Sequence, residues 1–305
     1  MSESSVKPDP SAIGGVSKPP FARLPDPASL FATRAARLRF LAEASDLAPY
    51  LKFLADLAEV QAAVLPDLPK ISAPSADTLV RAKEFAMPVI DRNTFAEDAA
   101  AQATLERLFE AFDAISKPSQ AQKALTGLRA ASQAEIAGLA ANVLGDVIPE
   151  GQVAEHVYVA AALQLHFSRL AATLDEKTLA PVNTGLCPVC GSRPSGSLVV
   201  GWYGAEGARY ACCSLCSTLW NEVRVKCLSC GSTKGIGFQE LEGGSGTVKA
   251  ETCDECDSYL KVFYQQKDMG IEAVADDVAS LGLDLLLKQG GRYTRAGLNP
   301  FLAGY

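Results

Sequence analysis

Apolar residues in the first half of the chain recur every three or four positions, the spacing of helices with one buried stripe. Asp26-Pro27 reads as an N-cap followed by proline at the first helical position. Leu30, Phe31, Leu38 and Leu41 then follow at helical spacing to about Ala44. A second helix over Leu47–Leu65 puts Leu51, Leu54, Leu57 and Ala58 on one face, and Pro66 and Pro69 end it. Ser75–Met87 is a shorter candidate. Thr94-x-x-Glu97 has the form of a capping box opening a helix with Leu105, Leu108, Phe109, Phe112 and Ile115 on one stripe, stopped by Pro118. Ser119–Arg129 and Gln133–Leu144 continue the pattern. Gln152–Leu174 is apolar nearly all round, which predicts a helix through the centre of a bundle. No convincing strand pattern precedes residue 196.

Beyond that point the period changes to two. Ser197–Tyr203 and Ala208–Ala211 flank Gly204–Gly207 as a hairpin, and Gly237–Leu241 and Thr247–Glu251 flank Gly243-Gly244. Val223 and Val225, then Leu260, Val262 and Tyr264, alternate as further strands. Ile271, Val274, Val278, Leu281 and Leu285 return to helical spacing, ended by Gly290-Gly291. The predicted class is α+β: a tail over 1–24, a helical domain over 25–180, two small β modules over 185–226 and 227–266, and a closing helix and tail over 267–305.

The modules also hold the chemistry. Eight of the 9 cysteines fall into four C-x-x-C pairs: Cys187/Cys190, Cys213/Cys216, Cys227/Cys230 and Cys253/Cys256. The second pair begins 26 residues after the first in both units, and the units lie 40 residues apart. A C-x-x-C turn aims two sulfurs at one centre, and two turns face to face make a tetrahedral shell of four thiolates. Gly191 and Gly231 let the backbone turn just after the second sulfur. Modules of about forty residues bury little core, so a metal would supply stability they lack. Cys212 falls outside the rhythm and aligns with Thr252, so it reads as a small residue at a strand end.

Disulfides would need an oxidising compartment. Met1–Pro20 has no apolar core of a secretory signal, and no apolar run approaches membrane-spanning length. The expectation is a cytoplasmic protein with reduced thiols, which favours metal over disulfides. The net charge of −7 divides between both halves of the chain, leaving no basic surface for nucleic acid phosphates. The 2 histidines, His156 and His166, share the central helix but point in different directions, and no catalytic constellation forms around them.

The helical half followed by tandem C-x-x-C units resembles the formate dehydrogenase accessory protein FdhE family. The likeness rests on Cys187-Pro188-Val189-Cys190-Gly191, Cys213–Cys216, Cys227–Cys230-Gly231 and Cys253–Cys256. In the tail it rests on Asp276-Asp277, Leu281-Gly282-Leu283-Asp284 and Gly297-Leu298-Asn299-Pro300-Phe301, and it covers about residues 30–305. The resemblance implies a cytoplasmic, non-enzymatic factor in the maturation of respiratory formate dehydrogenase, one that contacts the catalytic subunit before export. It implies rubredoxin-like knuckles holding two mononuclear irons, one on Cys187, Cys190, Cys213 and Cys216, the other on Cys227, Cys230, Cys253 and Cys256.

The ligand pattern alone accepts zinc as readily as iron. Three functions fit it. One is an accessory factor whose metal modules support a protein-binding surface. A second is a rubredoxin-type electron carrier, which has no need of so large a helical domain. The third is a zinc-ribbon nucleic-acid binder, disfavoured by the acidic balance. Four protein ligands on each ion would leave no open position for hydrolytic chemistry. Oligomeric state has no signature in the sequence.

Overall fold

Asp26 opens the first helix, its carboxylate accepting from Ala28 N at 3.1 Å, in a computed structural model that describes residues 19–183 and 185–302. Seven α-helices of the described residues precede the modules: α1 Pro27–Ala42, α2 Ala48–Val64, α3 Ala76–Glu84, α4 Ala99–Ala111, α5 Ser119–Ala130, α6 Gln133–Gly145 and α7 Val153–Ala171. Leu51, Leu54, Leu57 and Ala58 of α2 are buried, as their spacing predicts. Every residue of α7 from His156 to Ser168 is buried, so this helix is the axis of the bundle.

One boundary differs from expectation. Thr94–Glu97 lies in a 3-10 turn, Arg92–Glu97, and α4 begins after Asp98. The Asp98 carboxylate accepts from Ala100 N at 2.7 Å and Ala101 N at 3.3 Å. An aspartate directly before three alanines outcompetes the threonine four positions upstream. A reciprocal capping box does occur, at Ser132 and Glu135 on α6.

The second half forms one sheet. The first module supplies β2 Pro194–Val199, β3 Arg209–Cys213 and β4 Leu219–Glu222. The second supplies β5 Ile236–Gln239, β6 Val248–Cys253 and β7 Ser258–Tyr264. Each set is antiparallel, and β2 joins β7 in parallel from Gly196–Lys261 to Val199–Tyr264. Gly196 permits this join, because a Cβ there would stand 2.5 Å from the Phe263 ring and 2.9 Å from Lys261 O. At one end β1, Ala22–Arg23, pairs with β4 opposite Trp220 and Leu219. The expected tail over 1–24 therefore ends in a strand, and its residues 1–18 lie outside the described part.

The expected closing helix is broken in two, α8 Ala273–Ala279 and α9 Leu281–Gly290. Lys261 on β7 causes the break. Its buried ammonium donates to Asp277 O at 2.8 Å and Ser280 O at 3.1 Å, capping the carbonyl end of α8. Beyond the break Leu285 is exposed, and Leu283 and Leu287 are buried instead.

The same lysine sits in a buried charge cluster, 3.1 Å from Asp277 Oδ1 and 2.5 Å from Asp284 Oδ2. Arg295, on the two-residue strand β8 Thr294–Arg295, answers from the other side at 2.5 and 2.6 Å. Asn299 donates to Asp277 at 2.9 Å. Two acids and two bases balance, which makes the burial of Lys261, Asp277 and Asp284 beside the half-buried Arg295 tolerable. Asp276 instead takes Arg37 of α1 through both carboxylate oxygens, at 2.6 and 2.9 Å, and fastens α8 to the helical domain.

Candidate metal centres

The first four cysteines converge between the sheet and the helical domain. Cys187 and Cys190 lie on the loop before β2, Cys213 ends β3, and Cys216 lies on the turn into β4. Their sulfurs all fall within 4.8 Å of one another, with Cys187–Cys216 and Cys190–Cys213 each at 3.5 Å. None of the four is more than 2% exposed.

Each turn is held by its own backbone. Gly191 N donates to Cys187 O at 2.9 Å and Ser217 N to Cys213 O at 3.1 Å. Cys187 N donates to Ser192 O at 2.9 Å and Cys213 N to Thr218 O at 3.0 Å. The residue after the second cysteine is left-handed in both turns, Gly191 at φ 71° and Ser217 at φ 58°. The helical domain then roofs the site. Val89 N and Ile90 N donate to Pro188 O and Val189 O at 3.3 and 2.8 Å, and Arg92 donates to Ser192 Oγ at 3.2 Å. Gln164 on α7 donates to Ser214 O at 2.8 Å.

The second centre repeats this geometry in a different setting. Cys227 and Cys230 precede β5, Cys253 ends β6, and Cys256 lies on the turn into β7. Cys227–Cys256 and Cys230–Cys253 stand 3.7 and 3.8 Å apart, again within a set spanning at most 4.8 Å. Gly231 at φ 80° and Asp257 at φ 48° take the left-handed positions. Cys227 and Cys253 are buried, Cys256 is half-buried and Cys230 is exposed. The two sets abut through one close approach: a Cβ at Gly185, just before Cys187, would lie 1.8 Å from Leu228 O.

Both donor sets fit a four-coordinate ion. Bonds of about 2.3 Å in a tetrahedron put neighbouring sulfurs about 3.8 Å apart, close to the spacings of both centres. Charge argues the same way at the first centre. Burial drives the Cys187 and Cys216 thiols well above their ordinary value. Against the same burial, the neighbouring thiols and the Ser192 hydroxyl draw Cys190 well below it. A pocket this buried does not carry four thiolates unless a divalent cation neutralises them. At the second centre burial opposes ionisation of Cys227, but N–H groups of Cys230 and Ser229 lower it to about 7. Burial lifts Cys253 to about 12.

In three of the four turns a hydroxyl two residues after the second cysteine meets that cysteine's sulfur, a role the spacing did not reveal. Cys190 Sγ lies 3.4 Å from Ser192 Oγ, Cys216 Sγ 3.2 Å from Thr218 Oγ1, and Cys256 Sγ 3.0 Å from Ser258 Oγ. Ser232 holds the fourth position, its hydroxyl donating to Lys234 O at 3.3 Å. The recurring C-G-S, C-S-T and C-D-S triplets were the available signal. Cys212 belongs to neither set and packs with Leu198, Val200 and Phe263. Both histidines are core side chains. His156 Nδ1 lies 2.6 Å from Gln152 O, and His166 Nε2 lies 3.4 Å from an Asp98 oxygen. Among the described residues no helix is long and apolar enough to cross a membrane.

Fold and site define a helical-scaffold protein carrying paired four-cysteine centres on a shared sheet. The chain belongs to the FdhE family, so the resemblance to formate dehydrogenase accessory proteins holds at the level of the family. Models of the FdhE N-terminal, central and C-terminal domains match residues 19–184, 186–224 and 225–302. An FdhE homolog of Rhizobium meliloti (strain 1021) is 50% identical over the full length of both chains. Protein FdhE of Escherichia coli (strain K12) is 37% identical over 90% of this chain and 88% of its own. The crystal structure of the FdhE protein from Pseudomonas aeruginosa superposes with a TM-score of 0.83, at 31% identity, over 93% of this chain and 99% of that one.

Proposed function

We propose that this chain is a non-catalytic maturation factor for formate dehydrogenase, and that it binds the catalytic subunit in the cytoplasm before that subunit is exported. The eight paired cysteines are its metal ligands, and iron occupies both sets. The observation that carries the reading is the closure of both donor sets at tetrahedral spacing. Four protein sulfurs per ion leave no position for a substrate, so the centres serve as framework for a surface. Iron, when bound, cross-links four thiolates and adds a one-electron couple. The residues do the rest: the hydroxyls of Ser192, Thr218 and Ser258 orient sulfurs, Gln164 ties the helical scaffold to the first centre, and Arg34 and Arg37 tie it to α8 and its cap.

The test is a pull-down of the formate dehydrogenase catalytic subunit by the full chain, with both sites filled and thiols reduced. Retention is expected, and no retention overturns the partner assignment. Anaerobic purification with metal analysis and a visible spectrum tests the ion. Coloured protein with two irons is expected; colourless protein with two zincs removes iron. One observation favours an electron carrier, the exposure of Cys230 beside the second centre. Colourless zinc protein would remove that reading as well.

A further inference from the structure

The two centres differ at one accessible atom. Cys190 and Cys230 occupy the same position in their units, yet Cys190 is 1% exposed and Cys230 is exposed. The cover over Cys190 comes from distant sequence: Pro88 against Gly191, Val89 and Ile90 on the turn backbone, and Arg92 on Ser192. At the second centre Ser229, Thr233, Lys234 and Gly235 are exposed around Cys230, as are Asp254 and Glu255 beside Cys253. All four cysteines of the first centre are members of the main core or bounded by it, so reaching that ion requires opening the domain.

We propose that the second centre is a metal-exchange site in the folded protein, entered by an external thiolate at Cys230, while the first centre keeps its ion for the lifetime of the fold. The inference rests on the reading that both cysteine sets hold metal. In the exchange, an incoming thiolate forms a bond to the ion as the bond to Cys230 Sγ breaks. Cys230 departs as a thiolate and takes a proton from water, with the ion's oxidation state unchanged. The remaining sulfurs follow by the same substitution, so a donor or acceptor must itself offer several thiols. Exchange at a surface site needs only local rearrangement, whereas release from the core draws on global opening, a separation of about a thousandfold or more in rate.

The experiment uses the full chain reconstituted with two zinc ions of one stable isotope, zinc standing in for iron because it holds one oxidation state throughout. It is challenged with zinc of a second isotope bound either to a synthetic C-x-x-C peptide or to glutathione, and followed by native mass spectrometry. One ion is expected to exchange at a rate that rises with thiol concentration, with the other retained about a thousandfold longer. Alkylation after withdrawal of the labile ion is expected on Cys227, Cys230, Cys253 and Cys256 alone. Exchange with the peptide only would assign a protein thiolate as the source, and exchange with both a general thiol. Equal rates for the two ions, independence of thiol concentration, or alkylation of the first set would each overturn the proposal. No formate dehydrogenase is present, so a failed exchange leaves the docking reading intact, and a failed pull-down leaves exchange intact.

Discussion

The first and second cysteine centres share a 26-residue internal offset, left-handed turn residues and a hydroxyl two places after each second cysteine. They differ in what covers them. Helical elements roof the first, and its sulfurs join the core that runs through α7. The second is built on β5–β7 alone, with Cys230 exposed and Cys256 half-buried. One local code therefore sits in two settings. The ligand pattern fixes the cage, while residues remote in sequence decide whether an ion held there would belong to the core or lie at its edge.

The sharpest way to break that contrast is to remove one ligand from each. Cys213→Ser strips the buried set and leaves three desolvated thiols in the main core. Binding of a structural ion is worth on the order of 10 kcal/mol, comparable with the whole stability of a domain. We expect the variant to retain one metal per chain and to lose cooperative unfolding across helices and sheet together. Cys253→Ser should also retain one metal, but hydrogen exchange should rise chiefly over β5–β7, with α7 still protected. Equal protection loss in α7 from both variants would show that the centres are one cooperative unit.

Arg209 tests how tightly the modules are joined. Its buried guanidinium meets Glu251 of the second module at 2.8 Å, donates to Ser197 Oγ at 3.0 Å, and donates to Lys226 O at 2.9 Å. Burial raises the Glu251 carboxyl above its usual value even with the arginine beside it. Arg209→Met would strand that carboxyl and is expected to cost about 3–5 kcal/mol in urea unfolding. Adding Glu251→Leu should recover much of the loss. A single variant within 0.5 kcal/mol of the parent would mean the modules do not depend on each other.

Arg209 also marks the limit of what the sequence discloses. The eight cysteines were legible because their chemistry repeats, and the bundle helices because their apolar period does. The Ser280 break was not, since it depends on the ammonium of Lys261, which helical periodicity ignores. Nor was the β2–β7 join, which needs the missing Cβ of Gly196 against Phe263. Thr94 and Asp98 competed as caps within four residues, and only the backbone shows which won. The roof over the first centre rests on Val89, Ile90 and Arg92, about a hundred residues from the knuckle they cover. Polar residues at long separation carry no periodic signature.

The helical roof should carry an acid sensitivity of its own. Burial lowers His166 on α7 to about 4, against the pull of Asp98. The unfolded chain protonates this ring near 6.5, while the folded chain resists until about 4. Stability is therefore complete above pH 6.5 and falls as pH drops towards 4, by about 2 kcal/mol between pH 7 and pH 5. His166→Gln should flatten that part of the urea-midpoint profile. Thiolate protonation at the two centres would remain in both proteins. Identical profiles for parent and variant would show that His166 contributes nothing to the acid sensitivity and would remove the roof's share of it.

The smallest expected effect bears on the assignment of ligands. Cys212 and Cys213 are adjacent on β3, and a strand sends neighbours to opposite faces. The two faces can be told apart here: Ala211 and Cys213 belong to the main core with the first centre, whereas Tyr210 and Cys212 pack with Leu198, Val200 and Ile271 on the other side. Cys212 Sγ has a long contact, 3.6 Å, with Tyr210 O. In Cys212→Ser the hydroxyl can still donate to that carbonyl, so the cost should be about 1 kcal/mol of lost apolar packing and desolvation. Two metals per chain should remain, where Cys213→Ser keeps one. Equal metal loss from the two substitutions would mean that β3 presents the other sulfur to the ion, and the register of the whole first module would have to shift by one residue.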